Sequence, residues 1–215
     1  MNILRTIAVA VVSAGLALAA HATPIVQNGN FASTSYLYPG YTNQDQNGNP
    51  DAGVNPIPYW IVTPGGGSNS TTAPSHPFLD NAAPPNGITS VGFLQNTSSF
   101  TQGLTLTPGQ VYTLTFFDDA RNCCGAFPTL TASVGGTSLY SSQLGAGSFH
   151  LITETFTATS ASENLVFSST TDEGDGSALI TGVSIVATPE PSSFALLGTG
   201  LLGVAGFARR KFAKA

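Results

Sequence analysis

From residue 23 to residue 187 no stretch sustains a helical period; short runs of alternating apolar and polar residues recur instead, with glycine and proline turns between them. The clearest run is Val111 to Phe117. Tyr112, Leu114 and Phe116 fall on one side of it and Thr113 and Thr115 on the other, the period of a half-buried strand. Pro108-Gly109 turns the chain into this run. Leu130, Ala132 and Val134 alternate with Thr and Ser, and Gly135-Gly136 supplies a two-residue hairpin turn into Thr137–Tyr140. Ile88–Gln95, Leu104–Thr107, His150–Thr159, Asn164–Ser169 and Leu179–Val186 complete the set. The pattern predicts one all-β domain over residues 23–187, an antiparallel sandwich of jelly-roll type. A chain of 215 residues suits one such domain with appendages, and 41% hydrophobic residues supply its core.

The appendages are the two ends. Residues 1–22 have the layout of a secretory signal: Arg5, an almost wholly apolar run from Thr6 to Ala20, then small residues Ala20 and Ala22 at the −3 and −1 positions of a signal peptidase site. At the other end Pro189-Glu190-Pro191 precedes an apolar stretch, Ser192 to Ala208, and a basic cluster, Arg209, Arg210 and Lys211. Seventeen apolar residues are at the lower limit for a membrane-spanning helix, and the cations would keep the C-terminus in the cytoplasm. Thr188-Pro-Glu-Pro through Lys211 resembles the PEP-CTERM sorting signal of Gram-negative bacteria. That resemblance implies recognition by an exosortase, a membrane cysteine transpeptidase, with a cut near Pro189–Pro191. It implies a transient stay in the inner membrane, then release to the cell surface or extracellular matrix, in an exopolysaccharide and biofilm setting.

Charge narrows the partners of the body. Between residues 23 and 187 the only cation is Arg121, against ten carboxylates, a net charge near −9 (1 − 10). Binding to nucleic acid is excluded on that ground. The order of features resembles the galactose-binding-like jelly roll of family 4/9-type carbohydrate-binding modules. The matching pieces run from Asn28-Gly29-Asn30-Phe31, through Pro58-Tyr59-Trp60 and Phe100-Thr101-Gln102, to Leu106 through Phe116. They continue with Phe156-Thr157-Ala158, Leu165-Val166-Phe167 and the closing strand Leu179 to Ile185. Members often place acids that hold a structural calcium after the first Phe and before the last Val-Ser-Ile; Ala32 and Thr181 stand there in this chain.

Several side chains are candidates for chemistry. Tyr36, Tyr38, Tyr41, Tyr59 and Trp60 punctuate a stretch rich in Asn, Gly and Pro, and flat loop rings suit sugar stacking. The competing reading packs them onto the sandwich, and for Trp60 it is the stronger one. Asp45, Asn47, Asn49 and Asp51 occupy alternate positions, as oxygen ligands of a calcium loop do, although Pro50 replaces the expected Gly, no bidentate Glu follows at the right distance, and a polar turn is the stronger reading. Asp172 to Gly176 is a second acidic turn. Arg121 ends the strongest strand beside Asp118 and Asp119, either pairing with a carboxylate or donating to a sugar. Cys123 and Cys124, the only cysteines of an exported chain, can close a vicinal disulfide, remain thiols or cross-link. Enzyme signatures are missing: no nucleophile elbow, only His76 and His150 after residue 22, and no second carboxylate that sequence places beside Glu154. The expectation is a non-enzymatic surface or matrix protein that binds polysaccharide. The alternative is a structural or adhesion protein with protein partners and no sugar ligand.

Overall fold

The computed structural model describes residues 24–32, 41–42, 57–63, 65–72, 81–95, 97–123, 125, 127–171, 176–188 and 200, with backbone alone at 41–42. The expected signal peptide and, apart from Gly200, the expected tail helix lie outside these residues. Among the described residues no helix is long and apolar enough to cross a membrane. Eleven strands among the described residues form two antiparallel sheets. They are β1 (Tyr41–Thr42), β2 (Ile61–Val62), β3 (Gly66–Ser70), β4 (Ser90–Gln95), β5 (Ser98–Thr105), β6 (Val111–Ala120), β7 (Thr129–Val134), β8 (Thr137–Gln143), β9 (His150–Thr157), β10 (Ser162–Thr170) and β11 (Ser177–Ala187). One sheet has the order β1-β3-β4-β11-β6-β9 and the other β2-β5-β10-β7-β8. The expected all-β sandwich is what forms.

The alternation read from β6 is the alternation that packs. Tyr112, Leu114 and Phe116 are buried between the sheets, facing Leu130, Ala132, Leu165 and Phe167 of the opposite sheet. The Gly135-Gly136 hairpin turns with φ of +58° and +81°, left-handed backbone that glycine enters without a steric cost. Phe31, Trp60, Phe100 and Phe167 form an aromatic centre: Phe31 lies 4.8 Å from Trp60 and 4.7 Å from Phe100, ring to ring. Gly92 makes room for it, since a Cβ there would stand 2.8 Å from the Phe31 ring and 2.9 Å from Phe100.

Trp60 is therefore not a ligand platform. Its ring is fully buried, its Nε1–H donates to the Asn28 carbonyl at 3.0 Å, and no face is left for a sugar. The pairing of an amphipathic ring with one buried acceptor is how an interior tryptophan is satisfied.

β3 and the first part of β5 escape the sequence pattern for one cause, polar residues at inward positions. β5 runs from Ser98 because Gln102 faces in, where its amide accepts from the Gln27 N–H at 2.7 Å and donates to the Gln27 carbonyl at 2.9 Å. A buried amide paired with a backbone in this way extends the sheet without apolar signal. β3, Gly-Gly-Ser-Asn-Ser, carries no apolar residue at all and is held by pairing with β4 and, at its edge, β1.

Candidate functional site

Two carboxyls sit at the end of β6, and their roles separate because consecutive strand residues face opposite ways. Asp118 points between the sheets, where the Tyr140 hydroxyl donates to its Oδ2 at 2.6 Å. Asp119 points outward and is buried under the loops. Asn81 Nδ2 donates to its Oδ2 at 2.7 Å, and the Ala120 and Gly147 N–H groups donate to its Oδ1 at 2.9 and 3.1 Å. Burial pushes both carboxyls above the ordinary aspartate value, and the hydrogen bonds only partly offset it. Burial, with the Asp118 bond added, pushes the Tyr140 phenol up to about 12. Asp118 and Asp119 thus face away from one another and are absorbed in structural bonds. They do not form the facing pair that glycoside hydrolysis uses.

Beyond Ala120 the chain leaves the sheet and opens a cavity of about 540 Å³, lined by Arg121, Asn122, Cys123, Phe127, Gly145 and Ala146. Its two walls are the 121–128 loop and the turn after β8. Both are tied to the core: Arg121 N–H donates to the Ser177 carbonyl at 2.9 Å, Leu144 N–H to Pro128 at 2.9 Å, and Ala120 N–H to Gly145 at 3.2 Å. Arg121 is half-buried in this wall, while Phe127 is 49% exposed and offers its ring to the opening. Asn81 ties this end to the neighbouring surface. Its Nδ2 also donates to the Ala120 carbonyl at 2.8 Å and its Oδ1 accepts from Asn122 N–H at 3.1 Å. Asn81 also lines a second cavity of about 390 Å³, with Val91, Phe149, Leu179, Thr71 and Thr72.

Of the residues singled out in the sequence, Arg121 and Cys123 meet at the first cavity. Cys123 is disulfide-bonded; the chain's other cysteine, Cys124, lies outside the described residues. Tyr36, Tyr38, Asp45, Asn47, Asn49 and Asp51 lie outside them also, as do Asp172 to Asp175, Ala20, Ala22, Pro189, Glu190, Pro191, Arg209, Arg210 and Lys211. Tyr41 contributes its backbone to β1, opposite Asn69. Thr181 donates its hydroxyl to the Ser90 carbonyl at 2.9 Å inside the protein. Among the described residues no group of three or more His, Cys, Asp or Glu could hold a metal ion. Phe127 was missed. Its signal is an aromatic between Gly125 and Pro128, outside any alternating run that would give it a buried side. Among the described residues Tyr59, 67% exposed at φ +74°, also presents its ring to solvent.

Residues 187–211 match the sequence model of the PEP-CTERM protein-sorting motif. The chain carries a PEP-CTERM sorting motif. It is thereby marked for export and exosortase processing, and the motif begins on the last residue of β11. No curated protein matches the chain. Among solved structures it is similar to the enzymatically active domain of tailspike protein 4 from bacteriophage CBA120, at 14% identity and a TM-score of 0.46, over 77% of this chain and 21% of that one. The PEP-CTERM chain thus spans about a fifth of that domain. It is also similar to the module TmCBM61, determined in complex with β-1,4-galactotriose, at 13% identity and a TM-score of 0.45, over 78% of this chain and 100% of that one. A third is the CBM22-1 xylan-binding domain of Paenibacillus barcinonensis Xyn10C, at 10% identity and a TM-score of 0.42, over 61% and 86% of the two chains.

Proposed function

We propose that the PEP-CTERM protein is a non-catalytic, polysaccharide-binding component of the cell surface or extracellular matrix, and that the glycan seats in the cavity between Arg121 and Phe127. The observation that carries this reading is an exposed aromatic ring and a guanidinium on the wall of one open cavity whose sides are fixed to the sheets. A sugar ring offers C–H bonds to an aromatic face and hydroxyls to a planar donor, and this pairing of surfaces suits both. The body's acidity favours a neutral or weakly charged glycan over a strongly anionic one. Tyr36, Tyr38 and Tyr41 are proposed as further stacking contacts, and Asp45 to Asp51 as a calcium loop, on their residue types alone. A vicinal Cys123–Cys124 disulfide is proposed to stiffen the wall after Arg121, since adjacent cysteines cannot staple distant parts of a fold.

The test is retention of the exported, processed protein on the host's own exopolysaccharide and on a panel of neutral glycans. Phe127→Ala and Arg121→Gln are each expected to weaken retention about tenfold, the loss typical of an anchoring contact. Retention by both variants equal to the parent's would sink the cavity as the site. The structural reading has one specific observation in its favour. β8 and β9 are edge strands of the described sheets, and neither carries Lys, Arg or Pro. Such edges are open to pairing with another strand.

A further inference from the structure

The sandwich does not stop before the sorting motif; the two share residues. The β6–β11 ladder runs to Ala187 opposite Tyr112, and Thr188 continues it, its N–H donating to the Val111 carbonyl at 2.9 Å. Two side-chain bonds hold the same residue: Gln110 Nε2 donates to the Thr188 carbonyl at 3.0 Å, and the Thr113 and Thr188 hydroxyls are bonded at 3.0 Å. Pro189 follows, and with no N–H to give it cannot extend the ladder. The motif match starts at 187, so its first two residues are fixed in the folded body.

That leaves almost no slack. The three residues Pro189 to Pro191, where the motif implies the cut, reach at most about 10 Å from Thr188 even fully extended. One α-helix with its side chains is about as wide. An enzyme that closes around that segment must therefore come against the end of the sandwich. The turns there are Thr107 to Gln110 and 158–161, knit together by Gly109 N–H to Ala158 at 2.8 Å, Ala158 N–H to Gln110 at 3.0 Å and Leu106 N–H to Ala161 at 3.0 Å. No charged side chain is exposed on them, unusual for a body near −9. The carboxylate of this end, Glu163, is turned in and its Oε1 accepts from Thr159 N–H at 2.6 Å, Thr159 Oγ1 at 2.8 Å and Ser160 N–H at 2.8 Å. An acidic body can lie flush against a membrane-embedded enzyme by an end that carries no exposed carboxylate.

We infer that this uncharged end of the sandwich, formed by the 107–110 and 158–161 turns around Thr188, is a docking surface for the exosortase, so that the enzyme lies against folded protein when it takes the tail. The inference rests on the sorting reading and is independent of any glycan.

The experiment follows processing of the full chain in an exosortase-bearing host, scored by loss of a C-terminal epitope, with an exosortase-deleted strain as the zero. Thr107→Glu with Ala161→Glu places two carboxylates on the docking end. Processing is expected to fall about tenfold. A linker of about twelve Gly and Ser residues between Thr188 and Pro189, reaching roughly 20 Å, is expected to restore it by moving the cut clear of the sandwich. Thermal melting of the purified variant, unchanged from the parent, shows that the fold is intact. Processing unaffected by the two carboxylates, or lost and not restored by the linker, would overturn the docking surface. A parent chain left uncut in the same host would overturn the sorting reading itself.

Discussion

Asp118 and Glu163 are both buried acids, and pH should move them in opposite directions. Asp118's folded value is raised, chiefly by burial, so the fold favours its protonated form. Its contribution is fully present below the ordinary value of 3.8 and is lost as the pH rises through the raised folded value. Asp118→Asn keeps an acceptor for Tyr140 and removes the cost of a buried charge. We expect it to match the parent in acid and to be the more stable protein at pH 7, as read by urea melts at both pH values. For Glu163 burial pushes upward, but the bonds from Thr159 and Ser160 outweigh it and the folded value is lowered. That stability is present above the ordinary value of 4.5 and is lost as the pH falls through the lowered one. Glu163→Ala gives the Thr159 and Ser160 N–H groups to water and should cost about 1 kcal/mol at neutral pH, with the difference shrinking in acid. Equal melts for Glu163→Ala and the parent would show that the three bonds carry no net stability.

At the scale of a strand, β4 is set by what a glycine leaves out. Gly92→Ala must displace Phe31 or Phe100 from the aromatic centre, and a loss of about 2 kcal/mol in chemical denaturation is expected, within the cost of overpacking a core. A melt unchanged from the parent's would mean that the rings can give way. β6 and β7 were legible in the sequence because each puts apolar residues on alternate positions beside a turn marked by glycine or proline, Pro108-Gly109 before β6 and Gly135-Gly136 after β7. β3 and the first half of β5 were not, because Asn69 and Gln102 are polar at buried positions and only the partner strand explains them. The site divides along the same line. Arg121 stood out as the lone cation of the body. Phe127 did not, since nothing local tells an exposed phenylalanine from a core one. Trp60 reads the right way, as a ring in a loop-like stretch that packing draws inside, because it follows the Pro58-Tyr59 turn of the resemblance.

For the molecule as a whole, the described residues group no set of metal ligands, and the core closes through aromatic contacts and paired amides. The processed protein is expected to melt higher with calcium than with EDTA, through the ion that Asp45 to Asp51 are proposed to hold. A rise of about 4 °C is equivalent to roughly 1 kcal/mol, and equal melts in the two would remove the proposed calcium loop. β6 also measures the molecule. Val111, at its start, bonds Thr188, and Arg121 follows its last residue. Ten residues of strand separate the two by roughly 33 Å. A chain still held by its tail carries the Arg121 cavity at the far tip, about a bilayer's core thickness from where the tail departs. On the proposed reading, capture of a polymer strand would precede the cut, and release would free a protein already loaded.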